Sequence, residues 1–102
     1  MTLYAVILTN EALADSERLQ DFLTANNDPL EASLMSFITD AFDILTHQPG
    51  IGRPVKEGLR ELIIERGASG YLAKYSIDRA ALTVRVLRLR HQKEIGYPTT
   101  NY

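Results

Sequence analysis

The chain of 102 residues contains no cysteine, which excludes both a disulfide framework and a metal site built on thiolates. Its two histidines and its carboxylates are not spaced as metal ligands either, so we expect no metal ion and no cofactor. The lack of cysteine is compatible with a cytoplasmic protein. Hydrophobic residues make up 45% of the chain and charged residues 24%, which is typical of a globular protein.

Long hydrophobic runs are missing as well. The apolar N-terminal segment, residues 1–8, is short, has no basic flank and is soon followed by Asn10 and Glu11. We therefore interpret it as a first β-strand at about residues 2–8, and we expect neither a signal peptide nor a membrane span. No internal repeat, low-complexity segment or linker divides the chain, so we expect a single domain over residues 1–102.

The two halves of the chain carry opposite charge. Residues 1–50 contain one basic and eight acidic side chains, a net charge of −7. Residues 51–102 contain ten basic and five acidic side chains, a net charge of +5, and the two halves together give −2. Such a partition indicates an interaction surface of one sign, or else two ordinary solvated faces.

Two amphipathic helices are predicted after the first strand. The first spans residues 10–26, whose apolar side chains fall on one stripe. The second begins with Asp28, Pro29 and Glu31, which are placed as an N-cap, a first-turn proline and the end of a capping box. Its apolar period continues to about residue 48, so the two segments form a helical hairpin with one apolar side.

Three strands are predicted after the helices, at about residues 59–66, 71–77 and 82–91. The Gly-rich link at residues 67–70 joins the first two as a hairpin. In the last strand the apolar side chains move from even to odd positions after Val86. This change of phase predicts a β-bulge, or a central strand that is buried on both faces.

The order of predicted elements defines the fold class. Residues 50–54 are predicted to be a connecting loop between the helices and the last three strands. Two helices on one face of a mostly antiparallel sheet make an α+β fold of two layers. The large side chains that we expect to meet where the second helix packs on the sheet are Phe37, Ile38, Leu45, Tyr75, Val84 and Val86.

Ionisable side chains gather where the last strand ends. His91 and Glu94 could transfer protons near neutral pH, and Tyr97 could stack on a base or donate a hydrogen bond. With a phosphate held by arginine, this group could cleave RNA through its 2′-hydroxyl. Structural roles would explain the same residues, such as a surface ion pair between Arg88 and Glu94, or a tail anchored by Tyr97. The candidate catalytic residues are Arg90, His91, Glu94 and Tyr97.

Other basic side chains could contact a phosphate or an acidic partner. They are equally explained as solvated surface residues of strands and loops. No Gly-rich phosphate loop follows a strand, and two histidines with scattered serines do not support a Ser/His/Asp triad. The candidate binding residues are Arg53, Lys56, Arg60, Arg88 and Lys93.

Four segments of the second half carry a resemblance to a known superfamily. In their order and spacing they resemble the RelE/ParE superfamily of bacterial type II toxins, small proteins held inactive by a cognate antitoxin. The resemblance covers nearly the whole chain and implies the toxin component of a plasmid-stabilisation or related toxin–antitoxin system. The segments are Gly52-Arg53-Pro54, Leu59-Arg60-Glu61-Leu62, Tyr71 to Tyr75, and Arg90-His91-Gln92-Lys93-Glu94 with Gly96-Tyr97.

The resemblance implies one of two activities. Toxins of the RelE-like branch cut messenger RNA on the ribosome, whereas those of the ParE-like branch block DNA gyrase and need no catalytic residues. The nucleases usually carry an arginine near the position of Leu72 or Ala73 and are strongly basic, but this chain has a pI near 5.6. We therefore expect a ParE-like gyrase inhibitor with a cognate antitoxin as its partner. A higher-order toxin–antitoxin assembly is compatible with the resemblance, which leaves the oligomeric state open. The alternatives are a RelE-like ribonuclease and a non-toxic interaction protein.

Overall fold

A five-stranded sheet with two helices on one face forms the described part of the chain in this computed structural model, which describes residues 2–25, 34–66 and 69–98. A short 3-10 turn, Lys56–Gly58, precedes the third strand. The strands run in the spatial order β1-β5-β4-β3-β2. The elements are β1 (Ala5–Leu8), α1 (Asn10–Ala25), α2 (Leu34–His47), β2 (Arg53–Pro54), β3 (Arg60–Arg66), β4 (Ser69–Asp78) and β5 (Thr83–His91).

The predicted α+β fold of two layers is confirmed, with differences at the strand ends. The first strand begins at Ala5, and the predicted capping residues of the second helix lie outside the described residues. The predicted loop at residues 50–54 was wrong in part, because Arg53 and Pro54 pair as a short edge strand with β3. Pro54 can take this place because it lies opposite Arg60 at a position that needs no N–H donor.

The change of apolar phase in the last strand does mark a β-bulge. Lys74 of β4 lies opposite Arg88, but the next residue, Tyr75, lies opposite Val86. Leu87 is therefore the extra residue of β5. Before it the even-numbered side chains Val84 and Val86 face the helices, and after it the odd-numbered Leu89 and His91 do. The strand is also central, because β1 pairs with it in parallel and β4 pairs with it in antiparallel orientation.

Aromatic side chains fill the core between the helices and the sheet. The Phe37 ring stacks on the Tyr71 ring at 4.4 Å between centroids, and both side chains are fully buried. The Tyr75 hydroxyl donates to the Pro49 carbonyl at 2.6 Å and accepts the Gly52 N–H at 2.9 Å. A Cβ at Gly52 would lie 2.6 Å from that hydroxyl oxygen, so only glycine allows this approach.

Truncation of Phe37 tests the position of the core. Phe37→Ala would remove the ring stacked on Tyr71 and leave a cavity, so we expect a loss of about 3–5 kcal/mol in the free energy of unfolding. Urea denaturation measures this loss. The control is Met35→Ala on the same helix, where the side chain is 66% exposed and a change within about 0.5 kcal/mol is expected. Equal losses in the two variants would contradict this assignment of the core.

Candidate functional site

The sheet face opposite the helices carries a row of charged side chains. Glu61 of β3, Lys74 of β4 and Arg88 of β5 lie opposite one another across three neighbouring strands. Arg90, two residues further along β5, points to the same face because side chains alternate along a strand. We call this surface the open face; its exposed member on β5 is Arg85.

The residues that follow β5, of which 92–98 are described, form the C-terminal segment. This segment crosses the open face and places Tyr97 among these charges. The centroid of the Tyr97 ring lies 4.8 Å from the Lys74 ammonium nitrogen, 5.3 Å from the Arg90 guanidinium carbon and 5.5 Å from that of Arg88. Three cations around one ring are attracted to its π-electrons. The Tyr97 hydroxyl donates to Glu61 at 2.8 Å, which ties the segment to the sheet.

Glu61 is a nearly buried carboxylate that binds both Arg53 of β2 and Tyr97 of the C-terminal segment. One oxygen accepts hydrogen bonds from Nε, at 3.1 Å, and Nη2 of Arg53, and the other accepts the Tyr97 hydroxyl. Burial disfavours its charged form, but these hydrogen bonds and the charges of Arg53 and Arg90 outweigh burial and lower the pKa of Glu61. For Tyr97, burial and then the contact with Glu61 raise the pKa of the phenol above its usual range.

His91 lies in the core and not on the open face. Its side chain is fully buried, with its ring 5.1 Å from that of Tyr71 and 5.7 Å from that of Phe22 between centroids. Its Nδ1 accepts the backbone N–H of Lys93 at 3.0 Å, so the ring holds the turn after β5. A buried imidazole in this position shapes the C-terminal segment and has no direct access to solvent.

The other two candidate catalytic residues are also engaged by the protein. Glu94 accepts the backbone N–H of His91 at 2.9 Å and forms an ion pair with Arg18 of α1. Arg90 donates from Nη1 to the Glu94 carbonyl at 2.9 Å. Arg90 and Tyr97 therefore meet on the open face, whereas the His91 ring lies on the helix side of the sheet. The contacts of all four candidates hold the turn after β5 and the residues that follow it.

The candidate binding residues are spread over the sheet and its edge. The Arg53 side chain is 59% exposed beside Glu61, and Lys56 is exposed on the 3-10 turn. Arg60 donates from Nη1 to the Gly52 carbonyl at 2.7 Å, which shows a structural role in the loop. Lys93 is exposed in the turn after β5.

Besides Arg85, sequence reasoning missed Lys74, a second basic residue of the open face. It lines a cavity of about 300 Å³ with Lys56 and Tyr97, beside the 3-10 turn in which Glu57 adopts a positive φ of 65°. The alternation of side chains along β4 could have identified it. Tyr71, Ala73 and Tyr75 face the core, so Lys74 between them must point to the open face. The open face can thus attract an anionic group, although its carboxylates and its tyrosine are internally bonded.

A buried carboxylate on α1 determines where Arg88 points. Asp15 is 1% exposed and accepts hydrogen bonds from Nε of Arg88 at 2.7 Å, from the Leu89 N–H at 2.8 Å and from Arg18 at 3.1 Å. Arg88 also donates to the Pro98 carbonyl at 2.6 Å. Arg88 thus forms an ion pair with Asp15, and Glu94 forms one with Arg18. The sequence had suggested a surface pair between Arg88 and Glu94 instead.

Two kinds of site are not found among the described residues. Across residues 2–25, 34–66 and 69–98, no three His, Asp or Glu side chains come together as metal ligands. Neither helix in those ranges is long and apolar enough to cross a membrane.

Removal of the buried charge tests the role of Asp15. Asp15→Asn keeps the shape of the side chain but removes the buried negative charge that pairs with Arg88 and Arg18, of which Arg18 retains a second carboxylate beside it, that of Glu94. We therefore expect a loss of about 3–5 kcal/mol in the free energy of unfolding. Denaturant titration measures it. Asp43→Asn is the matched control, because Asp43 is 78% exposed and pairs only at the surface with His47. A neutral Asp15→Asn variant would refute the role assigned to this carboxylate.

The lowered pKa of Glu61 predicts how stability depends on pH. A carboxylate whose folded pKa lies below its ordinary value of 4.5 stabilises the fold above that pH, and this contribution is lost as the pH falls through the folded pKa. Glu61→Gln should therefore lower the unfolding free energy at neutral pH and flatten its decline below pH 4.5. Unfolding titrations over acid pH measure the slope, and Glu65→Gln on the same strand is the control. An unchanged slope in Glu61→Gln would contradict the assignment.

Known structures share this architecture. The chain is similar to one from the RelBE2 toxin–antitoxin complex of Mycobacterium tuberculosis, with 26% identity and a TM-score of 0.65, over 92% of this chain and 97% of that one. A second likeness, of fold, is to a chain of the chromosomal ParDE toxin–antitoxin system of P. aeruginosa. There the identity is 20% and the TM-score 0.63, over 85% and 94% of the two chains.

Family membership follows from the sequence comparison. No match is found among curated proteins. The family model described as the ParE toxin of type II toxin–antitoxin system, parDE, matches residues 6–96. The match covers both helices, strands β2 to β5, all of β1 except Ala5, and the turn that holds Glu94. The chain belongs to the ParE toxin family of type II toxin–antitoxin systems.

Proposed function

We propose that this toxin acts by binding and inhibiting DNA gyrase and is neutralised by a cognate antitoxin. The observation that carries the proposal is the state of the candidate acid–base groups. His91 is fully buried between aromatic rings, and the Tyr97 hydroxyl is bonded to Glu61. A general base must lie within hydrogen-bond reach of its substrate, and neither group presents itself to one here. A mechanism by binding alone needs no such group.

The charge of the open face suits a mechanism by binding. Arg85 is exposed on this face, Lys74 lies half-buried beside Tyr97, and Lys93 adds an exposed charge in the turn after β5. Exposed charges of one sign steer an oppositely charged partner and fix its orientation. The match to the ParE toxin model supports the same branch, since ParE-like toxins are the ones that the sequence resemblance connects with gyrase.

A RelE-like ribonuclease is the second candidate, and one observation favours it. Lys74, Arg88 and Arg90 surround the Tyr97 ring on the sheet, and basic residues with an aromatic ring are also the side chains that hold RNA phosphates and bases. In this structure the same ring is committed to Glu61. The assignment of a binding mechanism therefore depends on Tyr97 having a structural role.

The partner of the proposed function is an antitoxin. Both structural neighbours come from toxin–antitoxin systems, and the chain covers at least 94% of each neighbouring chain. An antitoxin segment that is disordered when free and folds on the toxin would explain neutralisation by a small protein. Recovery of such a partner from the native operon would support this proposal.

Tyr97→Phe separates the two activities. The change removes only the hydroxyl group, so a ribonuclease that used it in proton transfer should lose about 100- to 10,000-fold in rate. We expect the purified wild type to inhibit DNA supercoiling by gyrase, and Tyr97→Phe to inhibit it to a similar extent. Relaxed plasmid in cells that express either protein is the matching observation in vivo.

A control reaction on ribosomes completes this test. The wild type should leave messenger RNA intact during translation in a purified system. Ribosome-dependent cleavage by the wild type, lost in Tyr97→Phe, would overturn the proposal in favour of the ribonuclease. Arg85→Glu reverses an exposed charge of the open face and should weaken gyrase inhibition if that face binds the enzyme.

A further inference from the structure

The turn between β4 and β5 holds one residue in a strained conformation. Leu82 has a positive φ of 51°, which glycine and asparagine adopt far more readily than leucine. Its carbonyl accepts the Ala5 N–H at 2.9 Å, and the Ala81 N–H donates to the Asp78 carboxylate at 2.9 Å. Neither hydrogen bond uses the Leu82 side chain, so asparagine or glycine at this position would form the same turn. The turn therefore explains the positive φ but not the choice of leucine.

Leu82 belongs to an exposed apolar surface at one end of the sheet. It is 42% exposed and is not among the residues that form the core or pack against it. On β1, Val6 and Leu8 pack against the core, so Ile7 between them points to the open face, where it is 43% exposed. The residue before Tyr4 is also apolar and is 56% exposed. We call this surface the apolar corner; its members are Leu3, Ala5, Ile7 and Leu82.

A cation lies beside the apolar corner. Arg85 is exposed and lies directly opposite Ile7 in the pairing of β1 with β5. The described part of the C-terminal segment lies over the other end of β5, where Tyr97 contacts Arg88 and Arg90. The apolar corner and Arg85 are therefore accessible in the part of the chain that the structure describes. Apolar side chains next to one exposed arginine have the composition of a protein–protein contact, and they match a partner surface that is apolar with a carboxylate at its margin.

We propose that the apolar corner and Arg85 are the part of the open face that contacts DNA gyrase. Leu82 and Ile7 pack against an apolar region of the enzyme, and Arg85 forms an ion pair with a carboxylate beside it. The strained turn holds Leu82 in its bound position before contact, which reduces the conformational entropy lost on binding. This inference rests on the proposed inhibition of gyrase, and it adds which residues of the toxin make the contact.

The charges of the toxin favour gyrase over a second copy of this chain as the occupant. The apolar corner is continuous with the cationic open face, which attracts an acidic protein surface. Two copies that met through the same corner would be related by a two-fold axis, and this arrangement would bring their Arg85 side chains toward each other. Like charges across an interface oppose association. A partner with a carboxylate at this place has no such penalty.

Leu82→Asn tests the proposal, because it separates binding from folding. Asparagine has nearly the shape of leucine, is polar, and readily adopts a positive φ, so the variant keeps the turn and relieves its strain. We expect inhibition of gyrase supercoiling to require at least about tenfold more of the variant than of the wild type. The midpoint temperature of thermal unfolding should stay the same or rise. A fall of this midpoint together with the loss of inhibition would give Leu82 a role in the fold and would overturn the proposal.

A matched pair of strand variants tests where the contact lies. Ile7→Thr and Ile63→Thr make the same change, from one β-branched residue to another, at exposures of 43% and 44%. Ile63 lies on β3, about 14 Å away across three strand spacings. We expect Ile7→Thr to weaken gyrase inhibition by about fivefold or more, and Ile63→Thr to leave it within about twofold. Equal effects of the two variants would contradict a contact at the apolar corner.

The outcomes separate this inference from the function on which it rests. If the wild type does not inhibit gyrase, the proposed function fails and the contact fails with it. If the wild type inhibits gyrase and Leu82→Asn inhibits it equally well, the contact is wrong and the function stands. Binding of the small protein encoded beside this chain is measured with the same variants. Weaker binding of that protein with unchanged gyrase inhibition would assign the corner to the antitoxin, and a wild-type dimer that Leu82→Asn dissociates would assign it to a second copy; either result would overturn the proposal.

Discussion

The buried carboxylate of Asp15 is the contact on which the arrangement of the sheet and its C-terminal segment depends. Strand β1 is only four residues long and pairs with β5 up to Val86. Beyond that point α1 supplies the missing partners, because Asp15 accepts the Leu89 N–H and Arg18 donates to the Leu89 carbonyl. A helix thus satisfies a strand edge that would otherwise lack hydrogen-bond partners in the interior. The cost of burying this carboxylate is offset by three donors, two of them cationic.

The same network decides what the C-terminal segment can do. Arg18 contacts both Asp15 and Glu94, and Arg88 contacts both Asp15 and the Pro98 carbonyl, so the described part of the segment is held at Glu94 and at Pro98. Between these ends Tyr97 is held over the sheet by Glu61 and three cations. A cluster that has the composition of an acid–base site thus also holds this segment in place. The chemistry of residue types alone could not distinguish the two uses, because both need the same charges at short distance.

Local pattern explains which features the sequence predicted. The helices and the three later strands were predicted because each leaves a period in the residues that form it. The change of phase in the last strand predicted a bulge or a strand buried on both faces, and the register of β4 and β5 places the bulge at Leu87. Contacts between distant residues leave no such period. The Tyr97–Glu61 hydrogen bond joins residues 36 apart, and the Arg88–Asp15 pair joins residues 73 apart, so neither was predicted. The two-residue strand at Arg53 was missed for the same reason, since only its pairing with β3 defines it.

The opposite charges of the two halves become two faces in the fold. Exposed acids such as Glu17 and Asp21 lie on α1, whereas the exposed cations Arg53 and Arg85 lie on the sheet, and the layers separate the two sets. An acidic partner is therefore attracted to the sheet and repelled by the helices.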